Sequence, residues 1–303
     1  MGSGSYSSLA YKAEATTRGY DTKSTSDLFC NTVLNAASSV SSLNTAARTF
    51  NTSVRPEMLE VGVRECRDSD EHPNTTPIII AFDVTGSMRR SPEKMCKEQF
   101  PKLMDKLTQL GVPDPCLEFM AIGDTECDEF PIQLGQFEAD TKKLLDSIQS
   151  FALEGGGGGN RYETYMAAWV CAGFHTETDS WYKRGKKGFL FTMGDEPNAP
   201  RMTGKELTRF MGYQGDPKPI TAEEALEKAK EQYNVFHIHI TDASWGFERV
   251  KDGWEKLLGD HLLKASSNEV ATVIAETIKD NLNLTPNTTT PVKRDDEKEQ
   301  IIL

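Results

Sequence analysis

Residues 77–87 read Pro77-Ile78-Ile79-Ile80-Ala81-Phe82-Asp83-Val84-Thr85-Gly86-Ser87. The first six form a short, continuous apolar run, which predicts a strand buried on both faces, as in a parallel sheet. The next five place oxygen-bearing side chains at Asp83, Thr85 and Ser87, directly after that strand. Ligands of open α/β sheets bind at the carboxyl ends of the strands. This stretch therefore predicts the type of sheet and a ligand site at its edge.

Similar apolar segments alternate with helical patterns through the following 200 or so residues. Strands are predicted at 117–122, 189–193 and 235–240, and helices at 91–110, 144–151, 162–174, 222–233 and 270–278. Alternation at this spacing is typical of βαβ units. We therefore expect an α/β fold with a doubly wound, mostly parallel, Rossmann-like sheet and helices on both faces.

Composition divides the chain into three parts. Residues 1–72 form a Ser/Thr-rich N-terminal extension, and its first 54 residues hold few apolar side chains. Such a segment cannot offset its own ordering cost, so we expect it to order only against the rest of the chain or a neighbouring subunit. Residues 73–284 form the α/β domain, and residues 285–303 form a polar, charged tail.

Charge and cysteine content exclude several functional classes. The chain has 303 residues, with 34 Lys or Arg against 46 Asp or Glu, and a net charge of −12. This balance argues against a nucleic-acid partner, because phosphate contacts need clustered basic residues. No apolar run reaches the length of a membrane span, and the N-terminus, with neither a basic nor an apolar region, is not expected to be a secretory signal. None of the six cysteines forms a C-x-x-C pair, which favours reduced thiols and a cytoplasmic protein that does not bind a membrane.

Two further loops are expected at the same edge of the sheet as Asp83. One is the glycine run 155–159, followed by Asn160, Glu163 and Thr164, and the other is Gly194-Asp195-Glu196-Pro197 after the strand at 189–193. Carboxylate and hydroxyl oxygens are hard ligands that suit Mg²⁺ or Mn²⁺. The three loops therefore predict one site for such an ion. The alternatives are an Asx turn at Asp83, a turn or helix cap at Asp195 and a flexible loop at the glycines.

These motifs resemble the von Willebrand factor type A (vWA) domain, of the intracellular type found in bacteria and phages. That family carries a metal-ion-dependent adhesion site written D-x-S/T-x-S, a polar residue on a second loop and an Asp on a third. Asp83, Thr85 and Ser87 match the first element and Asp195 matches the third. The second element departs from the pattern, because no Gly-Thr follows the glycine run. The resemblance covers about residues 73–284.

The departure at the second loop leaves several residues open as ligands or supporting residues. They are Asn160, Glu163, Thr164, Asp124 and Glu196. The resemblance implies a Rossmann-like fold, a bound divalent cation, no enzymatic activity and a protein partner whose acidic side chain completes the coordination of the metal. For the intracellular members it also implies an AAA+ ATPase as the partner.

An enzymatic alternative comes from the same residues. The Asp83–Ser87 stretch also resembles the phosphorylated motif of P-type ATPases, within the haloacid dehalogenase superfamily of phosphatases and phosphotransferases. Asp83 would then be the nucleophile and Asp195 a magnesium ligand. Against this, Val84 stands where the ATPases have Lys, and Thr85 stands where the phosphatases have an acid/base Asp. That superfamily also needs a Lys well ahead of the magnesium loop, and Lys186 and Lys187 lie fewer than ten residues before Asp195.

Two other polar clusters are open to more than one interpretation. His237 and His239 alternate on a predicted strand, where packed or hydrogen-bonded histidines are favoured over zinc ligands. The charged run at residues 64–72 is either a solvated loop leading into the first strand or a segment that folds over the metal face.

Overall fold

A computed structural model describes residues 5–20, 56–59, 61–153, 155 and 160–284. Most of the Ser/Thr-rich segment, the glycines at 156–159 and the charged tail lie outside the described residues. Within these ranges, no helix has both the length and the apolar character that crossing a membrane requires.

Six of the described strands form one central sheet, and the other four form two small pairs. In chain order they are β1 (Arg64–Cys66), β2 (Thr76–Asp83), β3 (Pro115–Ile122), β4 (Ile132–Leu134), β5 (Thr176–Thr178), β6 (Gly188–Gly194), β7 (Arg201–Met202), β8 (Ile220–Thr221), β9 (Tyr233–Ile240) and β10 (Leu262–Ala265). The central sheet of the described residues has six strands in the order β4–β3–β2–β6–β9–β10. All neighbours in it are parallel except β3 and β4. The expected doubly wound, mostly parallel α/β sheet is confirmed.

Helices cover both faces of this sheet. They are α1 (Ser8–Arg18), α2 (Pro56–Leu59), α3 (Ser91–Lys94), α4 (Phe100–Gln109), α5 (Thr141–Gln149), α6 (Met166–Phe174), α7 (Asp179–Tyr182), α8 (Gly204–Met211), α9 (Ala222–Gln232), α10 (Lys251–Leu258) and α11 (Val270–Leu282). Helices α1, α4, α5 and α11 pack on one face, and α6, α8, α9 and α10 pack on the other.

Strand β2 lies at the centre and is buried along its whole length. Its side chains alternate, so that Ile78, Ile80 and Phe82 enter one core and Ile79 and Ala81 enter the other. A strand with an apolar core on each side has no polar face, which explains its continuous apolar sequence.

Several elements differ from the sequence-based expectation. The helix predicted at 91–110 contains a π-helical turn at Met95–Gln99, just before Pro101 in the first turn of α4. The helix predicted at 162–174 begins only at Met166, so the residues before it remain a loop. Strands β4 and β10 were not predicted, because runs of three and four residues are too short to show a periodic pattern.

The described N-terminal residues lie against the domain rather than apart from it. Tyr11 of α1 is buried in the same core as α4 and α5. The backbone N–H of Ser7 donates to Thr141 Oγ1 at 2.9 Å, and the Arg18 guanidinium lies 2.7 Å from Asp146 Oδ1. Residues 5–20 therefore pack on the helices that cover one face of the sheet.

The charged run at 64–72 does not fold over the carboxyl edge of the sheet. Strand β1 pairs with β5, and Asp68 accepts hydrogen bonds from Thr75 and pairs with Arg184. Thr75 immediately precedes β2, so this cluster lies at the opposite end of β2 from Asp83. The hypothesis that it covers the metal face is wrong, since the pairing of β1 with β5 fixes it at the other edge.

A buried acid on β3 has a predictable effect on stability. Both carboxylate oxygens of Glu118 are buried without a hydrogen-bond partner among the described residues. Burial raises the pKa of Glu118 to about 8, and the nearby Arg64 only partly opposes the shift. In the unfolded chain this carboxyl titrates near pH 4.5, so between pH 4.5 and 8 the folded state holds a proton that the unfolded state has released.

We therefore expect the protein to lose stability as the pH rises through this window, and Glu118→Gln to remove that part of the loss. The difference between wild type and variant amounts to about 5 kcal/mol at most, at 1.36 kcal/mol per pKa unit. Urea unfolding at pH 5 and pH 8.5 measures it. The exposed Glu98→Gln is the control, and parallel pH profiles for wild type and Glu118→Gln would show the interpretation to be wrong.

Candidate metal centre

The candidate site lies where the winding of the sheet changes direction. Strands β2 and β6 are neighbours, but the chain continues from β2 to β3 on one side and from β6 to β9 on the other. The loops that follow β2 and β6 therefore diverge and leave a crevice at the carboxyl edge, which is the usual ligand position in such sheets. Asp83 ends β2 and Asp195 follows the last residue of β6.

Asp83 is completely buried, and both of its oxygens accept hydrogen bonds. Its Oδ1 accepts from the backbone N–H of Thr85 at 2.8 Å and from Thr85 Oγ1 at 2.7 Å. The first of these bonds is the Asx turn that was the alternative interpretation of this residue. Its Oδ2 accepts from the Tyr165 hydroxyl at 2.6 Å, and Tyr165 lies on the second loop.

Ser87 links the first loop to the third. Its Oγ donates to Asp195 Oδ1 at 2.6 Å and lies 3.4 Å from Thr85 Oγ1. Asp195 is also completely buried, and its Oδ2 accepts from the backbone N–H of Trp245 at 2.8 Å. The structure thus brings the four predicted ligand residues together in one chain of contacting oxygens.

The spacing of these oxygens fits the chemistry of a small hard cation. Octahedral Mg²⁺ has ligand oxygens at 2.0–2.1 Å, so adjacent ligands lie about 2.9 Å apart. The contacts from Asp83 Oδ1 through Thr85 and Ser87 to Asp195 Oδ1 measure 2.7, 3.4 and 2.6 Å.

The charge of the site also fits a cation. Among the described residues, neither Asp83 nor Asp195 forms an ion pair. Burial raises the pKa of Asp83 to about 7, and hydrogen bonds from Thr85 and Tyr165 oppose this only in part. Burying an unpaired carboxylate is costly, and a bound cation would compensate it.

The donor set depends on hydroxyls as well as carboxylates. In the described part of the chain, no three His, Cys, Asp or Glu side chains gather into a group that could hold a metal ion. A site built here therefore needs the oxygens of Thr85 and Ser87. This distinguishes it from zinc and calcium sites, in which nitrogen, sulfur or several carboxylates supply the ligands.

Two of the second-loop candidates bond to the loop that follows β3. The Thr164 hydroxyl contacts Thr125 Oγ1 at 3.1 Å and accepts from the backbone N–H of Thr125. Asn160 donates to Asp124 Oδ2 at 2.7 Å. Asp124 in turn caps its own loop by accepting from the backbone N–H of Glu126. These residues support the loop after β3 rather than the oxygen cluster.

Glu163 is the second-loop candidate whose pKa responds to the charge of Asp83. Its side chain is buried, and its Oε2 has no hydrogen-bond partner among the described residues. Burial raises the pKa of Glu163 to about 10, and among neighbouring charges that of Asp83 contributes most to the shift. The remaining candidate, Glu196, lies 3.1 Å from the Arg249 guanidinium and so already has a cationic partner.

Two residues of the site, and the role of a third, were not predicted from the sequence. Tyr165 and Trp245 contact Asp83 and Asp195, and Gly194 makes room for Tyr165. A buried Tyr at the start of a helix carries no sequence signal of this role. Gly194, which precedes Asp195, is the one residue of the three whose position could have drawn attention, because glycine permits close approach.

His237 has the packed, hydrogen-bonded role that was favoured for it. Its Nδ1 lies 2.9 Å from Thr192 Oγ1, and its ring stacks on Trp254 with a centroid distance of 3.6 Å. Burial lowers the pKa of His237 well below its usual value, so the ring is neutral.

The geometry gives the phosphatase alternative little support. The Thr85 hydroxyl donates a hydrogen bond to Asp83, and this residue has no carboxyl that could act as the acid/base group. Lys186 and Lys187 precede β6, and Asp195 follows it, so about 20 Å of extended strand separates them. The ammonium group of Lys187 donates instead to the carbonyl of Lys230.

No family model and no curated protein matches this sequence. Among solved structures, the chain is similar to proximal thread matrix protein 1 from the mussel byssus, with 16% identity and a TM-score of 0.44. It is also similar to the pilus adhesin SpaC from Lactobacillus rhamnosus GG, with 9% identity and a TM-score of 0.46. A third similar structure is the vWF domain of the type V pilus tip protein Mfa5 from Porphyromonas gingivalis, with 12% identity and a TM-score of 0.44.

The three matches cover different shares of the other proteins. The match with the mussel protein covers 72% of this chain and 49% of that protein. The match with SpaC covers 72% of this chain and 31% of SpaC, and the match with the Mfa5 domain covers 76% of this chain and 99% of that domain. The chain thus spans half or less of the first two proteins. At 16% identity or below, its function has to be argued from its own residues.

Proposed function

We propose that this chain is a protein-interaction module that binds Mg²⁺ or Mn²⁺ through Asp83, Thr85, Ser87 and Asp195 and uses the cation to hold a carboxylate of a partner. The observation that carries this proposal is the chain of four contacting oxygens at the switch point of the sheet. It contains two buried carboxylates that form no ion pair within the described residues. The resemblance of the D-x-T-x-S motif to the vWA adhesion site supports the same function.

Each residue of the site has a defined part in this proposal. Asp83 and Asp195 supply the negative charge, and Thr85 and Ser87 supply neutral oxygens between them. Tyr165 holds Asp83 Oδ2, which leaves Oδ1 facing the hydroxyls. The backbone N–H of Trp245 holds Asp195 Oδ2 in the same way. When bound, the cation supplies a positive charge with open positions for a carboxylate oxygen of the partner.

The donor chemistry supports recognition rather than catalysis. The oxygen cluster includes no histidine or cysteine of the kind that prepares a water nucleophile in zinc hydrolases. The lysines considered for phosphoryl transfer lie at the other edge of the sheet. The expectations of a cytoplasmic location and of an AAA+ ATPase partner stay predictions from the sequence.

Capture of partners from a lysate of the source organism tests this function. The immobilised full chain is expected to retain partners in Mg²⁺, to lose at least nine-tenths of them in EDTA and to recover them when Mg²⁺ returns. Ser87→Ala should weaken capture without unfolding the chain, because it removes one neutral oxygen from the site. Thr277→Ala, a helix-surface hydroxyl on α11, is the matched control.

One result would show that the cation does not serve recognition. If the same proteins are retained by the wild type in EDTA and by Asp83→Ala in Mg²⁺, the oxygen cluster has a structural role only. Circular dichroism of each variant establishes that a loss of capture does not come from unfolding.

A further inference from the structure

The loop at residues 241–249, which follows β9, is attached to the candidate metal centre. The backbone N–H and the hydroxyl of Ser244 both donate to the carbonyl of Ser87, at 3.1 and 2.6 Å. The next residue, Trp245, donates its backbone N–H to Asp195 Oδ2. Two consecutive residues of this loop are therefore fixed to two of the proposed metal ligands.

Trp245 is unusual because it is both exposed and held in place. Its side chain is 42% exposed. The Arg249 guanidinium lies over its ring, 3.6 Å from the centroid, and also pairs with Glu196. Rigid, exposed Trp and Arg side chains are enriched among the residues that dominate binding energy at protein interfaces.

Arg89 is the second unusual residue at this edge. It follows the metal-site turn Gly86–Met88 and has φ +53° and ψ −117°, a backbone conformation that residues other than glycine rarely adopt. Its Nε donates to Ser244 Oγ at 3.0 Å. Its side chain is exposed, and in the described residues no carboxylate pairs with it.

The positive charge of Arg89 stands out in an acidic chain. The whole chain carries a net charge of −12, yet Arg89, two residues after the proposed ligand Ser87, has an exposed guanidinium without an acidic partner in the described residues. Strained backbone persists where the surrounding contacts impose it, and it is found preferentially at binding sites. The hydrogen bond to Ser244 holds the Arg89 side chain against the same loop that carries Trp245.

We propose that Arg89 and Trp245 extend the metal site into a recognition surface for an acidic protein segment that carries two acidic residues and an apolar side chain. The first acidic residue would bind at the cation, the second would pair with the forked guanidinium of Arg89, and the apolar side chain would pack on the Trp245 ring. This inference rests on the proposed function and adds the chemistry of the partner. Charge complementarity selects an acidic segment, since the cation and Arg89 are both positive.

A display library of random 12-residue peptides, selected on the full chain in Mg²⁺, tests this surface. We expect the selected peptides to contain two acidic residues and an aromatic or large aliphatic residue. Arg89→Gln and Trp245→Ala should each lower their affinity by about tenfold, as expected for central interface residues. Arg90→Gln is the matched control, because Arg90 is the adjacent exposed arginine and lies 3.5 Å from Glu93.

Arg89→Gly separates recognition from stability. Glycine adopts the backbone conformation of Arg89 without strain, so this variant should melt at the same temperature as the wild type or a higher one. It should nevertheless lose peptide affinity to the same extent as Arg89→Gln, because both variants lack the guanidinium. A residue with a merely structural role would not give this combination.

The outcomes distinguish this inference from the function on which it rests. Peptides that need Mg²⁺ but carry a single acidic residue and tolerate Arg89→Gln would overturn the inference and leave the metal-dependent function standing. Peptides that bind equally in EDTA and to Asp83→Ala would overturn the proposed function itself. Failure to select any peptide would also count against the inference, because a linear segment of this chemistry is present in the library.

Discussion

Replacing Asp83 by alanine is expected to lower the affinity for Mg²⁺ or Mn²⁺ by at least about 100-fold in a calorimetric titration. Asp83 supplies one of the two carboxylates of the oxygen cluster, and its Oδ1 contacts the hydroxyl of Thr85 at 2.7 Å. Loss of residues that merely orient metal ligands costs about 10–100-fold in affinity, so loss of a charged ligand should cost no less. The wild type should show one site per chain.

Two further variants sharpen this test. Asp83→Asn retains the shape and most hydrogen bonds of Asp83 but removes its charge, so it should also lose metal affinity. Asp242→Ala removes a carboxylate on the neighbouring loop, where Asp242 accepts hydrogen bonds from Ser267, and it should titrate like the wild type. Equal titrations for the wild type and Asp83→Ala would contradict the assignment of this residue.

Replacing Gly194 by alanine is expected to destabilise the protein by about 3 kcal/mol or more and to disrupt the site. A Cβ at this position would lie 1.9 Å from the Tyr165 hydroxyl oxygen and 2.5 Å from its Cζ. Tyr165 is completely buried against the rings of His237 and Trp254, so it cannot move aside without displacing them. The hydrogen bond from Tyr165 to Asp83 should be lost as well.

Gly253→Ala is the matched control for this prediction. Gly253 lies within α10, and a Cβ there meets no atom within 4 Å. Alanine is the better helix former, so this variant should gain about 0.5–1 kcal/mol. Chemical unfolding of both variants measures the two effects. A Gly194→Ala protein as stable as the wild type would show that the close contact with Tyr165 does not exist.

The sequence predicted the core of the sheet because buried parallel strands leave a distinct local pattern. The runs at 77–82, 117–122, 189–193 and 235–240 lie inside β2, β3, β6 and β9. Asp83 and Asp195 were predicted as ligands for the same reason, since Asp83 ends β2 and Asp195 directly follows β6. Their juxtaposition follows from the parallel pairing of β2 with β6.

The second loop could not be assigned from sequence, because the direction of each side chain depends on distant partners. Thr164 faces Thr125, 39 residues earlier in the chain, and Tyr165 reaches Asp83 across 82 residues. Trp245 meets Asp195 across 50 residues from a loop with no recognisable motif. Contacts of this kind arise from the packing of loops at the sheet edge, and no local pattern predicts them.

Crystals of the full chain grown with MnCl₂ and measured at the manganese absorption edge show whether the oxygen cluster binds a cation. We expect one anomalous peak per chain in the crevice between the loops after β2 and β6, within ligand distance of Asp83 and Ser87. The peak should be absent from crystals of Asp83→Ala grown in the same way. A peak elsewhere on the chain, or none in crystals of the wild type, would contradict a metal-dependent recognition site at this edge of the sheet.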